Sequence, residues 1–363
     1  MTREPQSGSS GVVKPMKRGP LHAAGLAVSL AMASLPVAAE ETNAMSSATT
    51  QAGRSAGILP GRHLGTDDTI GDLLSHPALE GFAPLVLPWD DRATDPRMRL
   101  DRIAGLLPYH SQVRPAVVVA GLNRMIDDVA AGHQVFFDIY SQEEKARDPS
   151  RARAGLFFFR GPPGAPFAMI APGGGFAYVG SVHEGFPYAT EINTCGYNAF
   201  VIRYRAGAGG KVATEDMAAA VSFVLRNAST LGVATEGYSL WGSSAGARMA
   251  ASIGSHGVAA FGGDKVGGPV AVIMAYTAHS DRAAVEPPTF AVVGEDDGIA
   301  PPASMRRRIE ALRKIGTRTQ YVEYPRVGHG FGTGAGTSAQ GWIERACDFW
   351  KEQLALSGGK ATR

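Results

Sequence analysis

From Gln134 to Leu354 the sequence alternates short, almost wholly apolar runs with longer segments of helical periodicity, and this alternation restricts the fold more than any other feature. Gln134–Tyr140, Gly155–Arg160, Pro166–Ile170, Asn198–Tyr204, Tyr238–Trp241, Val270–Tyr276, Thr289–Val293 and Gln320–Tyr324 read as strands. Gly185–Cys195, Thr214–Leu231, Ala247–Ile253, Pro302–Ile315 and Ser338–Leu354 read as the helices between them. In the second helix Thr214 stands at the expected cap, with Glu215 and Asp216 in the first turn, where the helix dipole favours acids. Strands apolar on both faces belong to a mostly parallel sheet covered by helices on both sides, so the predicted class is α/β. Only 12 residues, Thr277 to Pro288, separate two of the late strands, too few for a large cap insertion.

The N-terminal third does not share this pattern. Lys14, Lys17 and Arg18 precede an uncharged Ala/Leu-rich run, Leu21 to Ala39, that closes on Val37-Ala38-Ala39. That is the charged, apolar and small-residue order of a secretory signal, predicted over residues 1–39, with Met1 or Met16 as its start. The run is short for a membrane span and contains Pro36. Residues 40–60 read as a flexible lead-in, 61–133 as an extension packing on the core, 134–356 as the catalytic domain and 357–363 as a tail. Within the extension, Ala116–Ala131 reads as a helix with Val119, Leu122, Met125, Ile126 and Val129 on one face.

Composition excludes several functions. The 363 residues are 44% hydrophobic and 19% charged, enough to bury a sizeable core. Thirty-five basic residues against 33 acidic give +2, and without the leader 31 against 32 give −1, too balanced for an electrostatic nucleic-acid binder. Cys195 and Cys347, 152 residues apart, read as buried thiols, although export would allow them to pair. No Cys/His cluster has metal-ligand spacing, so neither a metal nor another cofactor is expected.

Three motifs fall at strand ends. Gly242-Ser243-Ser244-Ala245-Gly246 lies between a strand and a helix, and only Ser244 has glycines two before and two after it, as a tight nucleophile turn demands. Pro172-Gly173-Gly174-Gly175-Phe176 follows the Pro166–Ile170 strand. Its glycines let backbone N–H groups approach a ligand, and with the N–H of Ala245 they suit a developing oxyanion. Gly294-Glu295-Asp296-Asp297-Gly298 and Gly328-His329-Gly330-Phe331 follow the next strands with an acid and a base, in the order serine, acid, histidine. A serine hydroxyl needs such a base to become a nucleophile, and the base needs a carboxylate to fix its tautomer.

In these motifs and their order the chain from about Gln134 to Leu354 resembles an α/β-hydrolase of the esterase/lipase type, and within it the secreted bacterial acetyl-xylan/feruloyl esterase-like carboxylesterases. That resemblance implies a triad of Ser244, His329 and Asp297, the last because it precedes Gly298-Ile299-Ala300-Pro301, with Asp296 as the fallback acid. It implies oxyanion donors at Gly174, Gly175 and Ala245. The sequence departs from many such lipases in having Pro172 where they have histidine. Phe176, Tyr178, His183 and His279 are candidate pocket residues; for His183 and Glu184, helix capping is the alternative. The expected substrate is a small-molecule or carbohydrate ester, with neither nucleic acid nor, after cleavage of the leader, a membrane as stable partner; oligomeric state is left open. A serine peptidase of the prolyl-oligopeptidase type and a silent α/β-hydrolase used for binding remain alternatives.

Overall fold

Strands β1 (Phe136–Phe137), β2 (Gly155–Phe159), β3 (Phe167–Ala171), β4 (Asn198–Arg203), β5 (Ser239–Ser243), β6 (Ala271–Ala275), β7 (Thr289–Gly294) and β8 (Thr319–Tyr324) form one sheet in the order β1-β2-β4-β3-β5-β6-β7-β8. β2 runs antiparallel to both β1 and β4, and all other neighbours are parallel. The computed structural model describes Leu59 and residues 61–358, so the predicted signal segment and nearly all of the lead-in lie outside the described residues. Every strand residue of β2, β3, β4, β5, β6 and β7 is buried, as strands covered on both faces must be.

The helices in chain order are α1 (Ile70–Leu74), α2 (Ala83–Val86), α3 (Pro115–Ala130), α4 (Gln142–Arg147), α5 (Phe186–Thr194), α6 (Gly209–Arg226), α7 (Ala228–Leu231), α8 (Ala245–His256), α9 (Pro302–Lys314) and α10 (Trp342–Gly358). Residues 61–133 contribute Ile70, Leu79, Val86, Leu100, Leu122 and Met125 to the same apolar cluster as the sheet. α3 starts on Pro115, whose missing N–H costs nothing at a first helical position, and buries Val119, Leu122, Met125 and Ile126; Val129 is half-buried. Gly121 on this helix lets it close on α5: a Cβ there would lie 3.0 Å from that of Phe186.

Several boundaries differ from expectation. The first predicted strand, Gln134–Tyr140, pairs only at Phe136 and Phe137, because it is an edge strand and the Phe136 ring fills the space above Gly155. α6 begins at Gly209, so Thr214 is mid-helix, its hydroxyl donating to Gly210 O at 2.7 Å. Asp216 is fully buried and forks with Arg205 (2.7 Å), with Tyr140 O–H donating to it at 2.6 Å. The ion pair outweighs the preference of a free acid for a first turn. α5 follows a π-type turn, Ser181–Gly185, and matches the expected helix to one residue at each end, whereas α10 begins at Trp342 rather than Ser338 and continues through Ser357 and Gly358, which were expected in the tail. Cys195 is half-buried and Cys347 buried, both as free thiols.

Candidate active site

The β5–α8 turn is built by steric exclusion. A Cβ on Gly242 would lie 2.3 Å from the Gly246 carbonyl carbon, and one on Gly246 would lie 1.8 Å from Ala171 O. Between them Ser244 takes φ 50° and ψ −114°, a region non-glycine residues avoid, at a cost of order 1–3 kcal/mol. Ser243 points inward, its hydroxyl donating to Tyr188 Oη at 3.1 Å, so Ser244 alone is presented.

Ser244 Oγ stands 2.9 Å from His329 Nε2, and His329 Nδ1 stands 2.8 Å from Asp297 Oδ2. Nδ1–H donating to the carboxylate leaves Nε2 to accept the serine proton. The N–H groups of Ile299 (2.9 Å) and Ala300 (2.7 Å) donate to Asp297 Oδ1 and fix the acid in turn. Asp297 is 4% exposed whereas Asp296, the fallback acid, is on the surface.

The glycine loop after β3 abuts this arrangement: a Cβ on Gly173 would lie 3.0 Å from Ser244 Cβ. Gly174 (φ 131°) and Gly175 (φ 64°) hold backbone angles that side chains resist. Among the described residues the N–H groups of Gly174, Gly175 and Ala245 donate to no protein acceptor, and Ala245 is the first residue of α8, where the dipole is positive. These are free donors on backbone held in place, which is what an oxyanion site requires.

The four pocket candidates separate. Phe176 is half-buried, with the exposed Arg248 guanidinium 5.6 Å from its ring centre. His279 is half-buried with an unpartnered Nε2, and burial pushes it down to about 4, so it is neutral at pH 7. Tyr178 and His183 are not pocket residues. Tyr178 lies wholly inside, its Oη 2.8 Å from His110 Nδ1 and its N–H donating to Gly174 O in the glycine loop at 3.2 Å. His183 is buried with Nε2 2.9 Å from Gly330 O, and burial holds it neutral, at about 4. Glu184, for which capping was weighed, is fully buried and caps nothing; it accepts the Gly173 N–H at 2.6 Å.

A part of the site unmarked by any motif comes from the extension. Ser111 N–H donates to Gly330 O (3.0 Å) and its hydroxyl to His329 O (2.7 Å). Tyr178 O–H receives the Tyr109 N–H at 3.0 Å, and a Cβ on Gly175 would lie 3.0 Å from the Tyr109 ring. Residues 109–111 are thus wedged between the oxyanion loop and the histidine loop, so the site is not confined to residues 134–356. Further back, Arg203 in β4 pairs with Asp90 and donates to Pro88 O at 3.1 Å, while Trp89 packs on Tyr178 with ring centres 4.6 Å apart.

The BD-FAE family model matches residues 164–281, spanning the oxyanion loop and the elbow, and the prolyl oligopeptidase family model matches residues 270–357, spanning the acid and histidine loops. The chain has the α/β-hydrolase fold, and each of the two family matches covers less than half of it. The fold is similar to that of an acetyl ester-xyloside bifunctional hydrolase from Caldicellulosiruptor lactoaceticus, with TM-score 0.52 and 19% identity over 60% of this chain and 95% of that one. An esterase from Thermogutta terrifontis, solved with propionate, shares 20% identity over 56% of this chain and 90% of that one, with TM-score 0.48. No curated protein sequence matches the chain.

Proposed function

We propose that the protein is a serine carboxylesterase that removes a short acyl group, acetyl first, from a polar alcohol such as a sugar. The observation that carries this is the continuous hydrogen-bonded line Ser244–His329–Asp297 beside three unengaged N–H donors. Ser244 Oγ attacks the ester carbonyl as His329 Nε2 takes its proton; Asp297 steadies the imidazolium and Gly174, Gly175 and Ala245 receive the oxyanion. His329 returns the proton to the departing alcohol, and a water activated by the same nitrogen releases the acid from the acyl-enzyme.

Substrate size follows from what surrounds the serine. The 277–288 segment contains no helix that could cover an acyl tunnel. Beside the oxyanion loop stands the Tyr109 ring, 45% exposed and stacked on Tyr178 at 5.6 Å and 23°, a flat face that suits the C–H side of a sugar ring. A long acyl chain gains about 0.8 kcal/mol per CH₂ only where an apolar groove receives it. Across p-nitrophenyl acetate, butyrate, octanoate and palmitate, each below its solubility limit, kcat/KM is therefore expected to be highest for the shortest esters. A steady rise toward palmitate would make this a lipase.

The function is proposed for an exported protein. Residues 14–39 support this by their order of basic, apolar and small residues ending before Glu40. N-terminal sequencing of protein from its native host should begin near Glu40; an uncleaved chain recovered from the cytoplasm would remove the proposal.

A prolyl-oligopeptidase-type peptidase is the second reading, favoured by the match over residues 270–357. Turnover of dipeptide amides without turnover of acetyl esters would select it.

A further inference from the structure

We propose that Glu184, backed by His110 of the extension, is the positioning residue of the oxyanion loop; the proposal rests on the esterase reading above. A fully buried carboxylate costs several kcal/mol unless hydrogen bonds replace its water. Glu184 is 0% exposed and obtains three such partners, each from a different part of the site. Oε2 accepts the Gly173 N–H at 2.6 Å; Oε1 accepts the Tyr276 O–H at 2.6 Å and lies 3.1 Å from His110 Nε2. Against the desolvation that burial imposes, His110 and the Tyr276 hydroxyl hold its carboxyl down at about 2.

Behind the carboxylate, Tyr178 Oη accepts from the Tyr109 N–H at 3.0 Å and lies 2.8 Å from His110 Nδ1, so the imidazole whose Nε2 faces Glu184 is held from its other nitrogen. On its other side Tyr276 packs edge-on to the His329 ring, with centres 5.1 Å apart, and Tyr188 Oη lies 2.8 Å from Tyr276 Oη. One carboxylate thus touches the loop that carries the oxyanion donors and the wall beside the base.

The other bonds that orient the loop all engage its carbonyls: Gly173 O accepts from the Gly180 N–H at 2.9 Å, Pro172 O from the Tyr204 O–H at 3.0 Å, and Gly174 O from the N–H groups of Ala177 (3.0 Å) and Tyr178 (3.2 Å). Among the described residues Glu184 is the acceptor that engages an N–H of the three glycines. Glu184 fixes the peptide unit that precedes Gly173, and with it the direction in which the Gly174 and Gly175 N–H groups follow. It also engages the Gly173 N–H, leaving the next two for the substrate. Where many lipases of this type place a histidine before the glycines, this chain has Pro172, and the carboxylate reaches the loop from the following turn instead.

A positioning role differs from a purely structural one in what it does to the rate per active molecule. Glu184→Ala removes the acceptor; Glu184→Gln retains an amide oxygen for the Gly173 N–H; His110→Ala leaves the Gly173 bond and removes its support. Each is measured with active sites titrated, using p-nitrophenyl acetate for kcat and KM and a trifluoromethyl ketone for transition-state affinity. Glu184→Ala is expected to lose about a hundredfold in kcat with KM little changed, and to weaken ketone binding in parallel, as for loss of an oxyanion donor. Glu184→Gln should recover most of this, and His110→Ala should fall between. If the folded fraction of all three variants keeps kcat and ketone affinity within twofold of the parent, whatever their yield, the proposal is wrong. Parent protein inert toward both ester and ketone would overturn the esterase reading itself, and this proposal with it.

Discussion

Ser244→Ala protein is expected to fold as the parent does and to lose at least about a thousandfold in kcat toward p-nitrophenyl acetate. The substitution removes one oxygen from a half-buried position, so little packing is at stake. It also relieves nothing in the backbone, since alanine meets the same φ of 50°. What disappears is the hydroxyl 2.9 Å from His329 Nε2, in an arrangement where the acid and base are otherwise intact. The residual rate comes from the three N–H donors and from binding, which together give a thousandfold or more over water in comparable systems. A purified Ser244→Ala protein with near-normal esterase activity would dismiss the mechanism, and a paired circular-dichroism melt separates loss of chemistry from loss of fold.

The second large effect distinguishes two adjacent carboxylates. Asp297→Asn is expected to lower kcat by on the order of 10⁴, because an asparagine amide facing His329 favours the tautomer that cannot take the serine proton. Asp296→Asn should stay within a few-fold of the parent. The contrast rests on geometry: Asp297 lies 2.8 Å from His329 Nδ1 and is held by two backbone N–H groups, whereas Asp296 is exposed. Steady-state kinetics on the two single variants read it directly. If Asp296→Asn is the more damaged enzyme, the acid has been assigned one residue too late.

The legible parts of this molecule are those where one local rule decides. Runs such as Phe167–Ala171 and Phe290–Val293 have no polar residue to expose, so a covered parallel strand is the only place for them. The spacing of Gly242 and Gly246 about Ser244 encodes a turn in which a Cβ at either glycine would collide with backbone. The order of the loops then brings Ser244, Asp297 and His329 to one end of the sheet.

Where long-range contacts decide, the local signal misleads. Thr214, Glu215 and Asp216 have the composition of a helix start, but Asp216 is committed to Arg205 and Tyr140, so the helix begins five residues earlier. Tyr178 and His183 lie in sequence among pocket residues yet turn inward. Their partners are His110 and Gly330, 68 and 147 residues away. Residues 109–111 carry no motif, because their contribution is backbone and hydroxyl bonding to loops that only the fold brings close. An aromatic-polar cluster, Tyr109-His110-Ser111, in a segment otherwise broken by prolines was the sole trace of it.

The central claim, that Ser244 is a nucleophile activated by His329 and Asp297, is tested most directly by covalent trapping. The full-length protein is treated with a fluorophosphonate, its intact mass is measured, and the modified residue is located by peptide mapping. The account predicts one adduct per chain, on Ser244 and not on Ser243, its complete absence from Ser244→Ala, and loss of ester hydrolysis in step with labelling. Hydrolysis that persists in the fully labelled protein, or an adduct on any other residue that abolishes it, would contradict the account.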